Sequence, residues 1–364
     1  MPSTTSSTTF SSLLHMPSRL YKYYSFNKKY TEGRLSGSVY LSTPLDFNDP
    51  CDCQLSIDNN TKKRVHQKDE KWLEYKLEEL GYAGAEIKSK AENLLRDDEA
   101  TVYGVYKSQL ERLGVLCLSG TYSDTLMWGY YANNEGYCIE YDTDLIVERL
   151  VIGFVNRLDY KTTELLYVKE DYKKNPLLRK LKNKPTREQQ LYIRRFDASI
   201  LPAITNTFLL SQGDNGAILN FVQNAYIKRF AGGSIKYTSN LKASQPTLFF
   251  DSRNAKSKTK YFRKTSAWKH EKEFRIVVSL GGKMGIDMGK DTIKNVYLGF
   301  SIHAKGAKKI AVWMDKLGVD VPLYIMRKAD DYSLCAEQIE KDMLISLKPK
   351  KAEEYLKQLR KLKW

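Results

Sequence analysis

The 364-residue sequence predicts an α+β fold of mixed, mainly antiparallel small sheets with helical insertions. Three observations predict it. Short runs rich in aromatic and apolar residues, such as Leu20 to Ser25 and Val115 to Ser119, read as strands. The stretch 62–113 repeats apolar residues at helical spacing. The run WKHEKEFRIVV, from Trp268 to Val278, sets two carboxylates two residues apart just before an apolar run, as a strand with one charged face does.

Taken in order, residues 1–18 are rich in Ser and Thr and lack both a basic n-region and a hydrophobic h-region, so they read as a disordered leader and not as a signal peptide. Residues 19–330 form one catalytic-type domain with helical insertions at 62–113 and 171–230, and residues 331–364 form a basic helical tail. Strands are expected at Leu20 to Ser25 and Val39 to Ser42, with a turn containing Gly33 and Gly37 between them. Asn48, Asp49 and Pro50 then make a rigid polar bend, whose side chains hydrogen-bond their own backbone or meet a ligand. After the helices of 62–113 come a buried strand at Val115 to Ser119, a helix over Leu126 to Asn133 capped by Ser123 or Asp124, and a strand in GYCIEYD. In that helix Met127, Tyr130 and Tyr131 make a stripe for packing, while Trp128 and Tyr131 are candidates to stack on a planar ring. A strand at Val151 to Tyr160 and helices at Gln189 to Leu210 and Ala217 to Phe230 follow. Beyond Val278 the pattern gives a strand at Ile293 to Gly299, a helix at Ala304 to Leu317 and a strand at Val321 to Met326. The terminal helix carries Tyr355, Leu359 and Leu362 on one face, which docks on the body or on a protein partner.

Composition narrows the partners. Lysine and arginine number 59 against 43 acidic residues, a net charge of +16, so the field around the molecule attracts polyanions and nucleic acid is the first partner to consider. Two segments concentrate this charge: nine basic residues against two acidic ones from Asp171 to Arg195, and ten against Asp251 alone from Lys228 to Lys264, interleaved with aromatic residues. Five cysteines without CxxC spacing and four scattered histidines indicate neither a disulfide framework nor a zinc site. No run of eighteen apolar residues is present, and a reducing cytoplasm is the expected location.

The chemistry centres on Trp268 to Val278. In a strand, Glu271, Glu273 and Arg275 share one face while Lys272, Phe274 and Ile276 face the core. An arbitrary string of this kind is an edge strand with a solvated charged face. Three further groups stand on separate segments: Lys22 with Tyr23, Asn48 with Asp49, and Ser119 with Trp128 and Tyr131. Nucleophile-elbow, phosphate-loop and HExxH signatures are missing. A metal-dependent nuclease using Asp49, Glu140, Glu271, Glu273 and Lys264 stays open, as does a non-catalytic nucleic-acid-binding module.

The blocks LYKYYSFN, VYLSTPLDFNDPCDC, VLCLSGTYSDTLMWGYYANNEGYCIEYD, YFRKTSAWKHEKEFRIV and IKNVYLG together resemble the bacterial family catalogued as domain of unknown function 2971, a name that implies no activity. Their order is also similar to the ADP-ribosyltransferase plan, which implies an ADP-ribosyltransferase-like core and NAD as substrate. By that resemblance Lys22, standing where the plan has His or Arg, holds the NAD ribose with Tyr23 beside it. Tyr131 or Ser119 clamps the nicotinamide near Asn48, Asp49 and Trp128. Glu273 stabilises the oxocarbenium-like transition state, Glu271 orients or deprotonates the acceptor, and Arg275 holds a carboxylate or phosphate. The implied activity is ADP-ribosylation of nucleic acid or protein, in the role of a toxic effector of bacterial antiphage defence.

Overall fold

The computed structural model describes residues 16–53, 84–96, 102–147, 149–150, 230–239, 260–278, 281–331 and 333–361, with a few positions between 73 and 82. The expected strand at Val151 to Tyr160, the helices between 189 and 230, the basic run 171–195, the leader to residue 15 and most of Lys228 to Lys264 lie outside the described residues.

Twelve strands occur in the described residues: β1 (Leu20–Tyr24), β2 (Ser38–Leu41), β3 (Gly114–Ser119), β4 (Tyr137–Tyr141), β5 (Phe230–Ser234), β6 (Lys236–Thr238), β7 (Arg263–Thr265), β8 (Glu273–Val278), β9 (Met284–Asp287), β10 (Ile293–Leu298), β11 (Leu323–Lys328) and β12 (Leu334–Ile339). The helices are α1 (Thr31–Leu35), α2 (Ala85–Arg96), α3 (Val102–Arg112), α4 (Thr125–Ala132), α5 (Ala304–Leu317), α6 (Lys341–Ser346) and α7 (Pro349–Lys361). The fold is α+β and mainly antiparallel. Most strands gather in one eight-stranded sheet, β12-β11-β10-β4-β1-β3-β8-β5, beside the two-stranded ribbons β2-β9 and β6-β7.

Within the large sheet only β10 and β11 run parallel, and α5 supplies the crossover that such a pair requires. Helix α5 buries Ala304, Ala307, Ile310, Ala311 and Met314 at helical spacing, and Gly318, left-handed at φ 62°, ends it. One face of the sheet carries Leu20, Leu116, Ile139, Phe274, Ile276, Val296 and Ile325, and packs against α1, α5, α6 and α7 in the largest core. The terminal helix α7 docks there through Ala352 and Leu356, flanked by Tyr355 and Leu359. Residues 334–361 thus supply an edge strand and part of the main core, while the sequence showed only an amphipathic helix.

The opposite face is polar and aromatic. Registers Tyr21↔Glu140, Tyr21↔Ser119 and Ser119↔Glu273 align a row of functional groups across β4, β1, β3 and β8. β1 and β3 share a single register pair, Tyr21↔Ser119, and the Lys22 ammonium donates 2.9 Å to the Cys117 carbonyl beside it. β8 is an inner strand between β3 and β5, buried along its whole length, so the edge-strand reading of its charges fails.

Two stretches of backbone depart from the expected pattern near the polar face. A short helix, α1, replaces the expected turn between β1 and β2. The segment Ser266–Glu271 is a 3-10 turn, so the strand begins at Glu273 and Glu271 precedes it. Lys272, exposed and left-handed at φ 45°, makes the junction; it does not face the core. A non-glycine residue in that region costs about 1 kcal/mol or more, and its carbonyl is fixed by the Gly120 N–H at 2.9 Å.

Candidate active site

Helix α4 and the loop after β2 build one wall of the site. Asp124 caps α4 by accepting from the N–H groups of Leu126 (2.9 Å) and Met127 (3.1 Å). Trp128 is fully buried, its ring edge-on to Tyr23 at 5.1 Å and its Nε1 donating to the Tyr122 carbonyl at 2.7 Å. It is therefore a core residue that anchors α4 and not the expected stacking surface. Met127, Trp128 and Ala132 form the inward face of α4, while Leu126 and Tyr130 face outward. Asp49 is likewise structural: it closes its own turn by accepting from the Cys51 N–H at 2.9 Å and does not line the pocket.

The other predicted residues converge. A pocket of about 420 Å³ is lined by Lys22, Tyr23, Asn48, Ser119, Tyr131, Glu271, Glu273 and Arg275, together with Asp52 and Lys264. At its base lies an ion cluster. Arg275, 1% exposed, donates through Nε to Glu273 Oε1 (2.6 Å) and through Nη2 to Glu273 Oε2 (3.0 Å). It also grips Asp52 with both terminal nitrogens, Nη1 to Oδ1 at 2.8 Å and Nη2 to Oδ2, and reaches the Tyr261 carbonyl at 3.0 Å. Bidentate pairing of this kind fixes a guanidinium in orientation as well as position. Lys264 donates to Glu271 Oε2 at 2.7 Å and stands 3.5 Å from Glu273 and 3.8 Å from Asp52, with the Trp268 ring 4.5 Å away.

Three largely buried carboxyls thus face two largely buried cations, and one negative charge is in excess when all are ionised. The two glutamates respond oppositely. Burial pushes the Glu271 carboxyl above the ordinary carboxylate range, the neighbouring Glu273 charge adds to this, and Lys264 and Tyr131 offset only part. Burial also acts to raise Glu273, but the paired Arg275 guanidinium, with Lys264, overrides it and holds that carboxyl down at about 2. Lys264 loses by burial but gains more from the two glutamates, so it stays a cation. Burial lowers Lys22.

A second chain of hydrogen bonds orients Glu271. Tyr131 donates to its Oε1 at 2.6 Å and accepts from the Asn48 amide at 3.2 Å. The Ser119 hydroxyl donates to the Glu271 carbonyl at 2.7 Å and accepts from the Thr121 N–H at 3.2 Å. Ser119 is therefore committed to the turn that carries Glu271. The Glu273 N–H donates to the Tyr237 hydroxyl at 2.8 Å.

Asp52 was missed by sequence reasoning, and Lys264 was considered only as part of a metal site. An arginine on the inner face of a buried strand demands an acidic partner, and DPCDC is the acidic loop nearest the other site blocks; that is the signal that finds Asp52. The carboxylates of the metal-dependent nuclease reading do not assemble as that set. Glu140, on β4, is separated from β8 by β1 and β3 and accepts from Tyr297 (2.7 Å) and Asn295 (2.9 Å) of β10, while Asp49 closes its turn.

A family model described as "Protein of unknown function (DUF2971)" matches residues 127–276, the segment that carries Tyr131, Lys264, Glu271, Glu273 and Arg275. Over that segment the chain is similar to this family. Comparison with curated proteins and with solved structures gave no match. Among the described residues no helix is long and apolar enough to cross a membrane.

Proposed function

We propose that the pocket breaks an N-ribosyl bond and transfers the ribosyl group, with NAD as donor and ADP-ribosylation of nucleic acid or protein as the outcome. The observation that carries this reading is the pair of glutamates at the pocket base, one held ionised and the other pressed toward its protonated form. Carboxyls pushed apart in this way mark an electrostatic stabiliser and an acid/base group. In ribosyl transfer the C1′–N bond breaks with its electron pair leaving on nicotinamide nitrogen, and positive charge develops at C1′ and the ring oxygen. Glu273, fixed by Arg275, opposes that charge in a site shielded from water. The acceptor then bonds to C1′ and gives its proton to the Glu271 carboxylate, whose raised affinity for protons suits it as a base.

The pocket volume falls within the roughly 300–1,000 Å³ range usual for small-molecule sites. Lys22 sits on its wall with an ammonium hydrogen-bonded to one carbonyl, and supplies donors for ribose hydroxyls or phosphate. Tyr131, above Glu271, offers a ring face to the departing nicotinamide. A cytoplasmic location, suggested by the cysteine usage and the lack of a signal-peptide pattern, belongs to the same proposal, as does the role of a toxic effector in antiphage defence, which rests on the resemblance alone.

The test is release of nicotinamide from NAD by the purified full chain, with and without nucleic acid, alongside calorimetric binding of NAD. The expected result is NAD binding and nicotinamide release that Glu273→Gln suppresses while the melting transition persists. Magnesium-dependent cleavage of nucleic acid with no NAD binding would replace this reading with the nuclease. Salt-sensitive nucleic-acid binding alone, unaffected when both glutamates are neutralised, would replace it with a binding module.

A further inference from the structure

An aromatic arc runs outward from the ion cluster beside the mouth of the pocket, with Tyr130 as its pocket-lining end and Trp268 against Lys264. Tyr130 lines the pocket at its rim and is 62% exposed, a large ring left open to solvent on the outer side of α4. Its ring centre lies 6.2 Å from that of His270, which lies 6.1 Å from Trp268. The Trp268 ring in turn borders Lys264, the hydrogen-bond partner of Glu271. The arc therefore runs from the exposed rim to the acid/base carboxyl. Two exposed lysines, Lys269 and Lys272, flank His270 and Glu271 on the same turn. Aromatic faces beside cations at an open rim match the needs of an unpaired nucleotide: rings stack on the base and ammonium groups meet the phosphates.

We propose that this rim is the acceptor platform, and that it takes a base of a single-stranded nucleic acid stacked on Tyr130 and Trp268, with the adjoining phosphates near Lys269 and Lys272. The inference rests on the ribosyl-transfer reading and adds to it the class of acceptor. Complementarity of charge favours this occupant over an ordinary protein side chain, because the chain carries a net +16. A base in a duplex has both faces covered by its neighbours, so the platform discriminates against double strands.

Fluorescence anisotropy with a labelled single-stranded oligonucleotide of mixed sequence, and with its duplex, tests this without NAD present. The single strand is expected to bind more tightly than the duplex and to weaken with added salt. Tyr130→Ala is expected to weaken single-strand binding roughly 5- to 150-fold, the loss of one stacked base, while Tyr130→Phe retains most of it. Because Tyr130 is largely exposed, the variant should melt with the wild type, which separates lost stacking from lost fold. Equal binding of duplex and single strand, or wild-type binding by both Tyr130→Ala and Trp268→Ala, would overturn the proposal. Tyr130-dependent binding without nicotinamide release would uphold the platform and remove ribosyl transfer. Nicotinamide release with label passing only to protein would remove the platform and leave the reaction.

Discussion

Replacing Glu271 by glutamine lowers the rate of ribosyl transfer by about 10²–10⁴, the usual contribution of a positioned acid/base group. The amide oxygen still accepts from Lys264 and the amide NH2 turns to donate to the Tyr131 hydroxyl, so the fold is retained and the loss is chemical. The pH dependence identifies the group. As a base Glu271 must be deprotonated, so the wild-type rate rises with pH through an acid limb placed by the raised Glu271 pKa, above the ordinary value of about 4.3. The limb is absent in Glu271→Gln. Glu273, held at about 2, cannot produce it, since it is ionised throughout that range. Stopped-flow or initial-rate measurement of nicotinamide release across pH reads both effects.

Arg275→Met destabilises the protein by about 3–5 kcal/mol, because it leaves Asp52 and Glu273 buried without their shared cation. Methionine keeps much of the volume, so the cost reports the charges and not a cavity. Linkage gives this a signature. Glu273 has a folded pKa depressed to about 2, so the ion pair contributes full stability above the unfolded value of about 4.3 and loses it as pH falls toward 2. The stability gap between wild type and Arg275→Met, measured by denaturant unfolding, is therefore widest near neutrality and narrows on acidification through that window. A gap independent of pH would assign the cost to packing.

Much of the framework was legible in the chain. Alternation placed Phe274 and Ile276 in the core, and helical spacing placed α5 to the residue at both ends. The gathering of Lys22, Tyr131 and Glu273 into one pocket was not legible in the chain, since no local pattern relates β1 to β8 across about 250 residues; only the resemblance to the ADP-ribosyltransferase plan suggested it. What the sequence hid was short-range geometry. Glu271 and Glu273 read as strand neighbours because nothing between them signals a break: the left-handed residue is Lys272, where glycine or asparagine would have been the usual marker. That turn brings Glu271 onto Lys264 from outside the strand, and so makes the two carboxyls unequal. The fate of Asp52 was equally hidden, because its neighbour Asp49 has the same chemistry and a turn-forming spacing; only the structure shows that one closes the loop and the other clamps Arg275.

Titration of the Glu271 and Glu273 side-chain carboxyls by carbon-detected NMR, with assignments from Glu271→Gln and Glu273→Gln, tests most directly the inequality on which ribosyl transfer rests. The predicted result is one carboxyl titrating above the ordinary glutamate range and the other at about 2. Two carboxyls titrating together near the ordinary value would contradict it, and with it the division of the pair into a base and a fixed charge.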